Sequence, residues 1–458
     1  MRQADVRLLA GALTRSASIG DGPLGGLGEL RADRRDSAAT MYTHVERVPL
    51  SSLTSWQECP DTGILRHHSG KFFTVEGVQV DVPSAAIPHW DQPIINQPEI
   101  GILGILVKEF DGVLHLLMQL KAEPGNCNGI QVSPTVQATR SNYTRVHGGS
   151  AIPYLDYFRE RERHRVLVDV RQSEQGSWFL SKRNRNMVIE VAEDVEVLDG
   201  FHWLTLGQLH ELLGEDDAVN MDARSVLACL PFDTDPVGPS QHATDELLGW
   251  LTETRAAVEI SLKRLPLREL SGWHYDGTMI SHQESRHFDV VGVLVEAHGR
   301  EVATWDQPMI AARGTGLTAF LATRIDDVPH VLVHARVEPG MFDVAEIAPT
   351  VQCAPETYIH LPRSTWPPFL AEILIADPSR IRFDVTQSEE GGRFLKTRSR
   401  NLIVEVDEPV EHPGYRWVTP GQLADLLRHS HYVNIQTRSL LACLRSMHSF
   451  QPAAELVR

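Results

Sequence analysis

The sequence predicts an α+β protein in which one unit occurs twice, and three observations support that prediction. The chain has 458 residues, which is too long for one core and fits two domains of ordinary size. Its second half repeats the first at an offset of 215 residues, which falls to 214 near the end. Strand-like segments come first in each copy, and capped, one-sided apolar segments follow. We therefore expect a curved mixed sheet flanked by helices in each copy.

Five motifs recur in the same order in both copies. They are Trp90-Asp91-Gln92-Pro93 and Trp305-Asp306-Gln307-Pro308, Glu123-Pro124-Gly125 and Glu338-Pro339-Gly340, Pro134-Thr135-Val136-Gln137 and Pro349-Thr350-Val351-Gln352, Gln172-Ser173-Glu174 and Gln387-Ser388-Glu389, and Arg224-Ser225-x-Leu227-Ala228-Cys229-Leu230 and Arg438-Ser439-x-Leu441-Ala442-Cys443-Leu444. This period is far too long for a solenoid and indicates a duplicated domain. A residue kept in both copies serves the shared fold or a shared ligand. A residue found in one copy can mark where chemistry happens.

The repeat sets the domain boundaries. Residues 1–40 lack apolar periodicity and are predicted to be a flexible tail, unless translation starts at Met41. The first copy is expected over residues 41–236 and the second over residues 263–458. Residues 237–262 form a linker that contains a connecting helix. That helix is predicted from Thr244 to about Lys263, with Asp245 and Glu246 in its first turn.

Strands are predicted from Val- and Phe-rich runs at residues 72–82, 166–170 and 187–191, and at 288–296, 381–385 and 402–406. Residues 100–109 and 113–121 flank Asp111-Gly112, which predicts a β-hairpin. The second copy has its turn at residues 326–329. Thr205 and Thr419 have capping-box spacing to Gln208 and Gln422, so each is expected to begin a helix.

Composition excludes several classes of protein. The formal net charge is −17, which disfavours nucleic acid and anionic lipid as partners. No apolar run is long enough to span a bilayer, and no signal peptide is recognisable, so we expect a cytoplasmic protein without membrane contact. The five cysteines lack CxxC spacing, which argues against zinc. Cys229 and Cys443 are predicted to be reduced core residues in equivalent helices.

A basic run is the first candidate for a ligand site. Lys182, Arg183 and Arg185 precede Asn186, and Lys396, Arg398 and Arg400 precede Asn401. Guanidinium groups bind phosphate oxygens in pairs, so Arg185, Arg400 and the two asparagines are predicted to bind a diphosphate. The alternative is a charged surface hairpin that binds nothing.

Three further segments offer polar or aromatic contacts. Gln172, Ser173 and Glu174, with Gln387, Ser388 and Glu389, follow strands and would present donors and acceptors to a ligand. Their alternative role is an ordinary turn. Thr139, Arg140, Ser141, Asn142 and Tyr143 follow a shared motif, and the second copy has Tyr358 and Arg363 in the corresponding stretch. The two tyrosines would stack on a base or bind a phosphate, or they are simply half-buried.

Paired tryptophans are the last candidates. Trp56 and Trp273 follow short polar turns and are predicted to be stacking platforms, although a core role is commoner for tryptophan. Trp90 and Trp305 are expected in the core, with the following Asp-Gln-Pro as a strand-ending turn.

The motif set, over residues 42 to 448, resembles the NDP-hexose 2,3-dehydratase family. The resemblance implies two Nudix-like units per chain and a homodimer. It implies a substrate, dTDP-4-keto-6-deoxyglucose, that loses water across C2 and C3 on the way to 2,6-dideoxysugars of antibiotics. It also implies a downstream 3-ketoreductase for the diketo product. We expect no cofactor.

A Nudix-like fold raises metal-dependent diphosphate hydrolysis as a rival function. That chemistry needs a helix of clustered glutamates, and the Nudix box is absent from both copies. We therefore expect no metal site. A nucleotide-sugar-binding protein without turnover is the second alternative.

Removal of water beside a ketone needs a base and an acid. The candidates are Glu389, Tyr358 and His282 in the second copy, and Glu174, Tyr143 and His67 in the first. Of the two copies, we expect the second to be catalytic.

Overall fold

The computed structural model describes residues 3–38, 41, 43–85, 87–139, 151–231, 239–298 and 302–447. Over these ranges the chain is a mixed α+β protein in which the same series of strands occurs twice. The predicted α+β class and the duplicated unit are thereby confirmed. The α-helices are α1 Gln3–Ala17, α2 Leu27–Ser37, α3 Leu155–Arg159, α4 Leu206–Leu213, α5 Met221–Ala228, α6 Thr244–Ala257, α7 Leu370–Leu374, α8 Pro420–Leu426 and α9 Ile435–Ser446.

The strands follow the same order in each copy. Those of the first copy are β1 Thr43–Val48, β2 Trp56–Glu58, β3 Leu65–His67, β4 Thr74–Asp81, β5 His89–Asn96, β6 Gly101–Phe110, β7 Val113–Ala122, β8 Ile130–Pro134, β9 Val136–Ala138, β10 Arg165–Ser173, β11 Arg183–Glu190 and β12 Phe201–Thr205. Those of the second copy are β13 Ser261–Leu265, β14 Trp273–Tyr275, β15 Met279–His282, β16 Phe288–Ala297, β17 Thr304–Ala312, β18 Gly316–Ile325, β19 Val328–Val337, β20 Ala345–Pro349, β21 Val351–Cys353, β22 Ile381–Ser388, β23 Arg398–Glu405 and β24 Tyr415–Val418.

Each copy builds one seven-stranded mixed sheet. The first sheet has the order β10-β11-β6-β7-β12, with β8 beside β7 and β9 beside β6. The second repeats this order with β22-β23-β18-β19-β24, and β20 and β21 in the equivalent places. The pairs β6–β11 and β18–β23 are parallel, and the other pairs in both sheets are antiparallel.

The predicted hairpins and helix starts are confirmed. β6 and β7 are joined by Asp111 and Gly112, whose φ values of 49° and 79° match a two-residue turn that requires left-handed backbone. Thr205 and Thr419 each accept from the backbone N–H of the glutamine three residues on, and both capping boxes form. These signals are local, which is why the sequence alone revealed them.

Two smaller sheets exchange strands between the copies. β1 of the first copy pairs with β16 of the second, and β13 of the second copy pairs with β4 of the first. The remaining strands of each small sheet come from a single copy. We call this reciprocal arrangement the strand exchange. It means that the boundary predicted at residue 263 cuts through β13, and that a sequence copy is not a separate folded body.

The expectation of a flexible tail is wrong for residues 3–38. Leu9, Leu13, Leu27 and Leu30 are buried and belong to the core cluster that both copies share. The Ser16 hydroxyl donates to the carbonyl of Leu114 at 2.6 Å. Composition concealed these helices because only a few leucines carry their packing, and the rest of the segment is polar or small.

The connecting helix is confirmed, but it ends at Ala257 and the chain then enters β13. It is the counterpart of α2. Gln208 Nε2 donates to the carbonyl of Gly25 just before α2, and Gln422 Nε2 donates to that of His242 just before α6. Each copy therefore begins with a helix anchored by the capping-box glutamine. The predicted turn at Asp-Gln-Pro is also wrong, since both motifs lie inside β5 and β17.

The packing of α1 predicts a stability difference between two of its leucines. Leu13→Ala should lower the free energy of unfolding by about 2–5 kcal/mol, because it empties a buried position. Leu8→Ala, at a side chain that is 72% exposed, should change it by no more than about 0.5 kcal/mol. Denaturant unfolding measures both. Equally small effects would mean that α1 does not pack on the core in solution.

Candidate active site

A cavity of about 1000 Å³ opens beside the large sheet of the first copy. Its floor includes residues of β6, β7 and β9. One wall is formed by Trp56 of β2, the preceding Ser55, and His67 of β3. The second copy supplies another wall through Val302, residues 304–307, Glu390, Gly392 and Arg393. The strand exchange and the contacts between the copies therefore build one site from both halves of the chain.

Among the described residues, six carboxylates line this cavity: Glu123, Glu174, Asp199, Asp222, Asp306 and Glu390. Glu174 Oε1 accepts from Asn184 Nδ2 at 2.7 Å, and Glu123 Oε1 accepts from Gln137 Nε2 at 3.0 Å. One buried oxygen of Glu174, of Asp222 and of Glu390 has no hydrogen-bond partner within the described part of the chain. Buried polar atoms are normally satisfied, so these oxygens mark a place where a polar ligand fits.

Burial raises the pKa values of three of these acids, Glu174, Asp222 and Glu390. The pKa of Glu390 rises to about 7, through desolvation and then through the neighbouring Glu123. The pKa of Asp222 lies well above its ordinary value, because it is buried and faces Glu174, Glu390 and Glu123. The pKa of Glu174 is also raised by burial, although the positive charges of Arg438 and Lys182 oppose that rise. Carboxyl groups tuned towards neutral pH are suited to proton transfer.

Three cationic side chains line the same cavity: Lys121, Lys182 and Arg393. Lys121 Nζ lies 3.5 Å from Glu123 Oε1. Lys182 donates to the carbonyl of Glu99, and burial lowers its pKa to about 8. The guanidinium of Arg393 lies 4.3 Å from the ring centroid of Phe73. The cavity therefore offers positive charge to an anionic ligand next to its acids.

The two copies differ at this cavity. Several of its ionisable residues are replaced by an uncharged residue at the aligned position of the other copy. The pairs are Asp222 and Gln436, Glu390 and Gln175, Lys182 and Thr397, and Arg393 and Trp178. The scaffold residues around them are kept in both copies. This single-copy charge is the signal by which the sequence could have identified Asp222 and Glu390, which were missed along with Glu123, Lys121 and Arg393 as site residues.

The predicted phosphate-binding arginines point elsewhere. Arg185 forms a paired hydrogen bond with Asp169, and Arg400 does the same with Asp384, both at the partly exposed outer side of their sheets. Neither lines the large cavity. Asn186 is buried against Ser225, and Asn401 donates to the carbonyl of Ser399. Of the basic run in the first copy, Lys182 lines this cavity, and phosphate binding by Arg185 and Arg400 stays a prediction.

The Gln-Ser pairs that precede Glu174 and Glu389 make hydrogen bonds between the two copies. Gln172 Nε2 donates to the carbonyl of Leu427 at 2.9 Å, and Gln387 Nε2 to that of Leu213 at 3.0 Å. The Ser173 hydroxyl donates to Glu346, and Ser388 exchanges hydrogen bonds with Gln131. These four residues were expected to bind ligand. The contact between the copies accounts for their retention in both copies, and ligand binding by these residues stays a prediction.

Of the predicted tryptophans, Trp56 and Trp273 are buried in the core, whereas Trp56 and Trp305 line the cavity. Trp56 is 5% exposed, lines the cavity and donates from its indole to the carbonyl of Asp306 at 2.9 Å. Trp273 makes the equivalent bond to the carbonyl of Asp91 and does not line the cavity. Trp305, expected in the core, is half-buried and lines it. A stacking role thus fits Trp305 better than the predicted pair.

The second-copy candidates lie outside this cavity. Glu389 is buried and accepts from Ser399 and Gln175. Burial raises the pKa of Tyr358, which packs on the apolar cluster of its own sheet. His282 contacts Trp273 and His287, and burial lowers its pKa. Arg363 is exposed, with its guanidinium 5.7 Å from the ring centroid of Trp366. The expectation that the second copy is catalytic has no support in these positions.

In the first copy, Glu174, His67 and Thr139 do line the cavity. Arg140, Ser141, Asn142 and Tyr143 lie outside the described residues. Within the described ranges, no group of three or more His, Cys, Asp or Glu side chains is arranged to hold a metal ion. The search of those same ranges also finds no helix both long and apolar enough to cross a membrane. The five cysteines are free, and Cys229 and Cys443 are buried, as predicted.

Comparison with known proteins agrees with the duplication. A family model described as NDP-hexose 2,3-dehydratase matches residues 30–230 and 244–444, and so begins inside α2. A protein of Amycolatopsis orientalis is 50% identical over 422 residues, which cover 91% of this chain and 88% of the relative. One of Saccharopolyspora spinosa is 51% identical over 425 residues, with 88% and 87% covered. One of Streptomyces violaceoruber is 45% identical over 423 residues, with 90% and 95% covered. Each of the three is named dTDP-4-dehydro-6-deoxy-alpha-D-glucopyranose 2,3-dehydratase.

The raised pKa of Glu390 predicts how its removal changes stability with pH. A glutamate in the unfolded chain titrates near about 4.3. Because the folded pKa is about 7, the stability that this carboxyl contributes is fully present below about pH 4.3 and is lost as the pH rises through about 7. The gain in stability of Glu390→Gln over the wild type should therefore grow between these values and persist above them, at on the order of 3–4 kcal/mol.

Thermal and denaturant unfolding at several pH values measures this gain. The exposed Glu411→Gln controls for the substitution itself. An equal pH trend in both variants would contradict the role of burial at Glu390.

Proposed function

Because the chain belongs to the NDP-hexose 2,3-dehydratase family, we propose that it removes water across C2 and C3 of dTDP-4-keto-6-deoxyglucose in the first-copy cavity. The observation that carries the location is the gathering of Asp222, Glu390 and Lys182, each charged in one copy only, around Glu174. This location replaces the expectation that the second copy is catalytic. The substrate follows the names of the relatives.

The chemistry begins at C3, where the neighbouring C4 ketone makes the hydrogen acidic. A carboxylate takes that proton, and the electron pair forms an enolate. The pair then forms the C2–C3 double bond while the C2–O bond breaks. The leaving hydroxyl takes a proton from an acid and departs as water. The product is the enol of a 3,4-diketone, and the sequence of steps consumes no oxidant or reductant.

The geometry supports Glu174 as the base. Arg438, Lys182 and the hydrogen bond from Asn184 all favour its ionised form against the effect of burial. Burial and the neighbouring Glu174, Glu390 and Glu123 raise the pKa of Asp222 well above its ordinary value, against the opposing charge of Lys121, so Asp222 is suited to be the acid. Two carboxyl groups whose surroundings separate their pKa values divide the two roles in this way. The neighbouring Glu390, whose pKa is about 7, also raises the pKa of Asp222.

The remaining lining suits the nucleotide. Arg393 and Lys121 provide positive charge for a diphosphate, and guanidinium binds such oxygens in pairs. The half-buried Trp305 offers an aromatic face to a base. Lys182 lies beside Glu174 and belongs with the proton-transfer groups.

Several finer expectations remain proposals. A Nudix-like unit is compatible with the mixed seven-stranded sheet and flanking helices of each copy. A homodimer, a downstream 3-ketoreductase and a place in antibiotic deoxysugar synthesis follow from the resemblance. A cytoplasmic location stays a prediction from the sequence. Light scattering of the purified protein tests the dimer.

Product analysis tests the reaction. The protein is mixed with dTDP-4-keto-6-deoxyglucose and a 3-ketoreductase with its hydride donor, and mass spectrometry follows the sugar nucleotide. A 2-deoxy product is expected. Intact sugar nucleotide would favour a binding protein without turnover. Free dTMP and sugar phosphate would favour hydrolysis and contradict the dehydratase.

Matched glutamates test the location. Glu174→Gln should lower kcat by at least about 100-fold, because it removes the base. Glu389→Gln changes the aligned residue outside the cavity and should stay within a few-fold of the wild type. Steady-state kinetics measures both. Turnover that survives the first change and is lost with the second would place the reaction in the second copy.

A further inference from the structure

Two buried arginines cross between the copies. Arg224 lies on α5 and Arg438 on α9, and the exposed fractions of their side chains are 2% and 0%. They belong to the Arg-Ser motif that the sequence repeats, and no ligand-binding or catalytic role explains that motif. The two helices pack against each other, and Arg224 Nε donates to Ser439 while Arg438 Nε donates to Ser225.

The guanidinium group of each arginine donates a hydrogen bond to a backbone carbonyl of the other copy. Arg438 Nη2 donates to the carbonyl of Ser173 at 2.5 Å, and Nη1 donates to the carbonyl of Val433 at 2.8 Å. Ser173 is the residue before Glu174. Arg224 Nη2 makes the equivalent bond, at 2.8 Å, to the carbonyl of Ser388, the residue before Glu389.

A buried guanidinium is costly unless acceptors satisfy its donors, so these bonds define the local geometry strongly. If the carbonyl of Ser173 moved away, the buried charge of Arg438 would lose one of its hydrogen-bond acceptors. Glu174 follows Ser173 directly in the chain and is itself 5% exposed. The fixed backbone at Ser173 therefore also restricts the position of the Glu174 carboxylate.

We propose that Arg438 is a positioning residue for catalysis, which holds the backbone at Ser173 from the second copy and thereby sets Glu174 in the first-copy cavity. This inference rests on the proposed role of Glu174 as the base. Its partner Arg224 performs the same structural task for Glu389, which lies outside the cavity.

The charges around Glu174 determine the expected pH effect. Arg438 on α9 and Lys182, just before β11, favour its ionised form, as does Asn184 on β11. Glu389, at the end of β22, disfavours ionisation, and Asp222 on α5 is electrostatically coupled to Glu174, as is Glu390. Loss of the Arg438 charge should therefore raise the pKa of Glu174 further. The acidic limb of the pH profile should then move to higher pH.

The experiment compares Arg438→Gln with Arg224→Gln in the full chain. Both remove one buried crossing arginine, so both should lower Tm by similar amounts. Only Arg438→Gln should move the acidic limb of kcat/KM upward by about one unit and lower kcat about tenfold or more at neutral pH. KM should stay within about threefold, and Arg438→Lys should restore part of kcat because it returns a positive charge.

A wild-type acidic limb in Arg438→Gln, or an equal shift in Arg224→Gln, would overturn the proposal. If either glutamine variant fails to fold, Ser225→Ala and Ser439→Ala replace the pair, since each removes the hydroxyl that accepts from one arginine. A smaller shift in the same direction is then expected for Ser225→Ala alone, and its absence would overturn the proposal.

Measuring Glu174→Gln in the same assays distinguishes a failure of the positioning role of Arg438 from a failure of the assignment of Glu174 as the base. If that variant is inactive while both arginine variants behave alike, only the positioning role fails. If that variant is active, the assignment of the base fails, whatever the arginine variants do.

Discussion

The contact between the two copies determines the rest of the structure. It has the form of an isologous interface within one chain, in which each residue and its counterpart make the same contact in opposite directions. Gly125 and Gly340 show how tight it is, because an added Cβ would lie 1.9 Å from the carbonyl oxygen of Phe394 and 1.7 Å from that of Phe179. The crossing arginines, the indole bonds of Trp56 and Trp273, and the strand exchange repeat the pattern. Because each contact of such an interface occurs twice, the residues that make it must be present in both copies, which explains the paired motifs.

The same contact explains why the cavity needs both copies. Glu390, Arg393 and Trp305 belong to the second copy but line a cavity beside the first sheet. The symmetric scaffold is then made asymmetric by a few substitutions. Where the first-copy site has Asp222, Glu390 and Lys182, the aligned positions hold Gln436, Gln175 and Thr397. Uncharged residues there avoid the cost of burying unpaired charge, so the second copy can serve as support.

Local signals made much of the fold predictable. The turn at Asp111 and Gly112 and the capping boxes at Thr205 and Thr419 depend on neighbours in sequence, and all were found. The strand exchange was not predictable, because it pairs β1 with a strand more than two hundred residues away. For the site, retention in both copies suggested Gln172 and Ser173 as ligand contacts, and the structure shows that both residues make hydrogen bonds between the copies. The difference between the copies, at Asp222 and Glu390, was the more informative pattern. Of the catalytic candidates predicted from the sequence, Glu174 and His67 line the cavity.

A crystal structure of the Glu174→Gln variant with dTDP-4-keto-6-deoxyglucose tests the central claim most directly, because the slowed enzyme should retain its substrate. We expect the hexose in the first-copy cavity, with C2 and C3 within about 4 Å of the substituted side chain at position 174 and of Asp222. A hexose ordered beside Glu389, with none in the first-copy cavity, would contradict it.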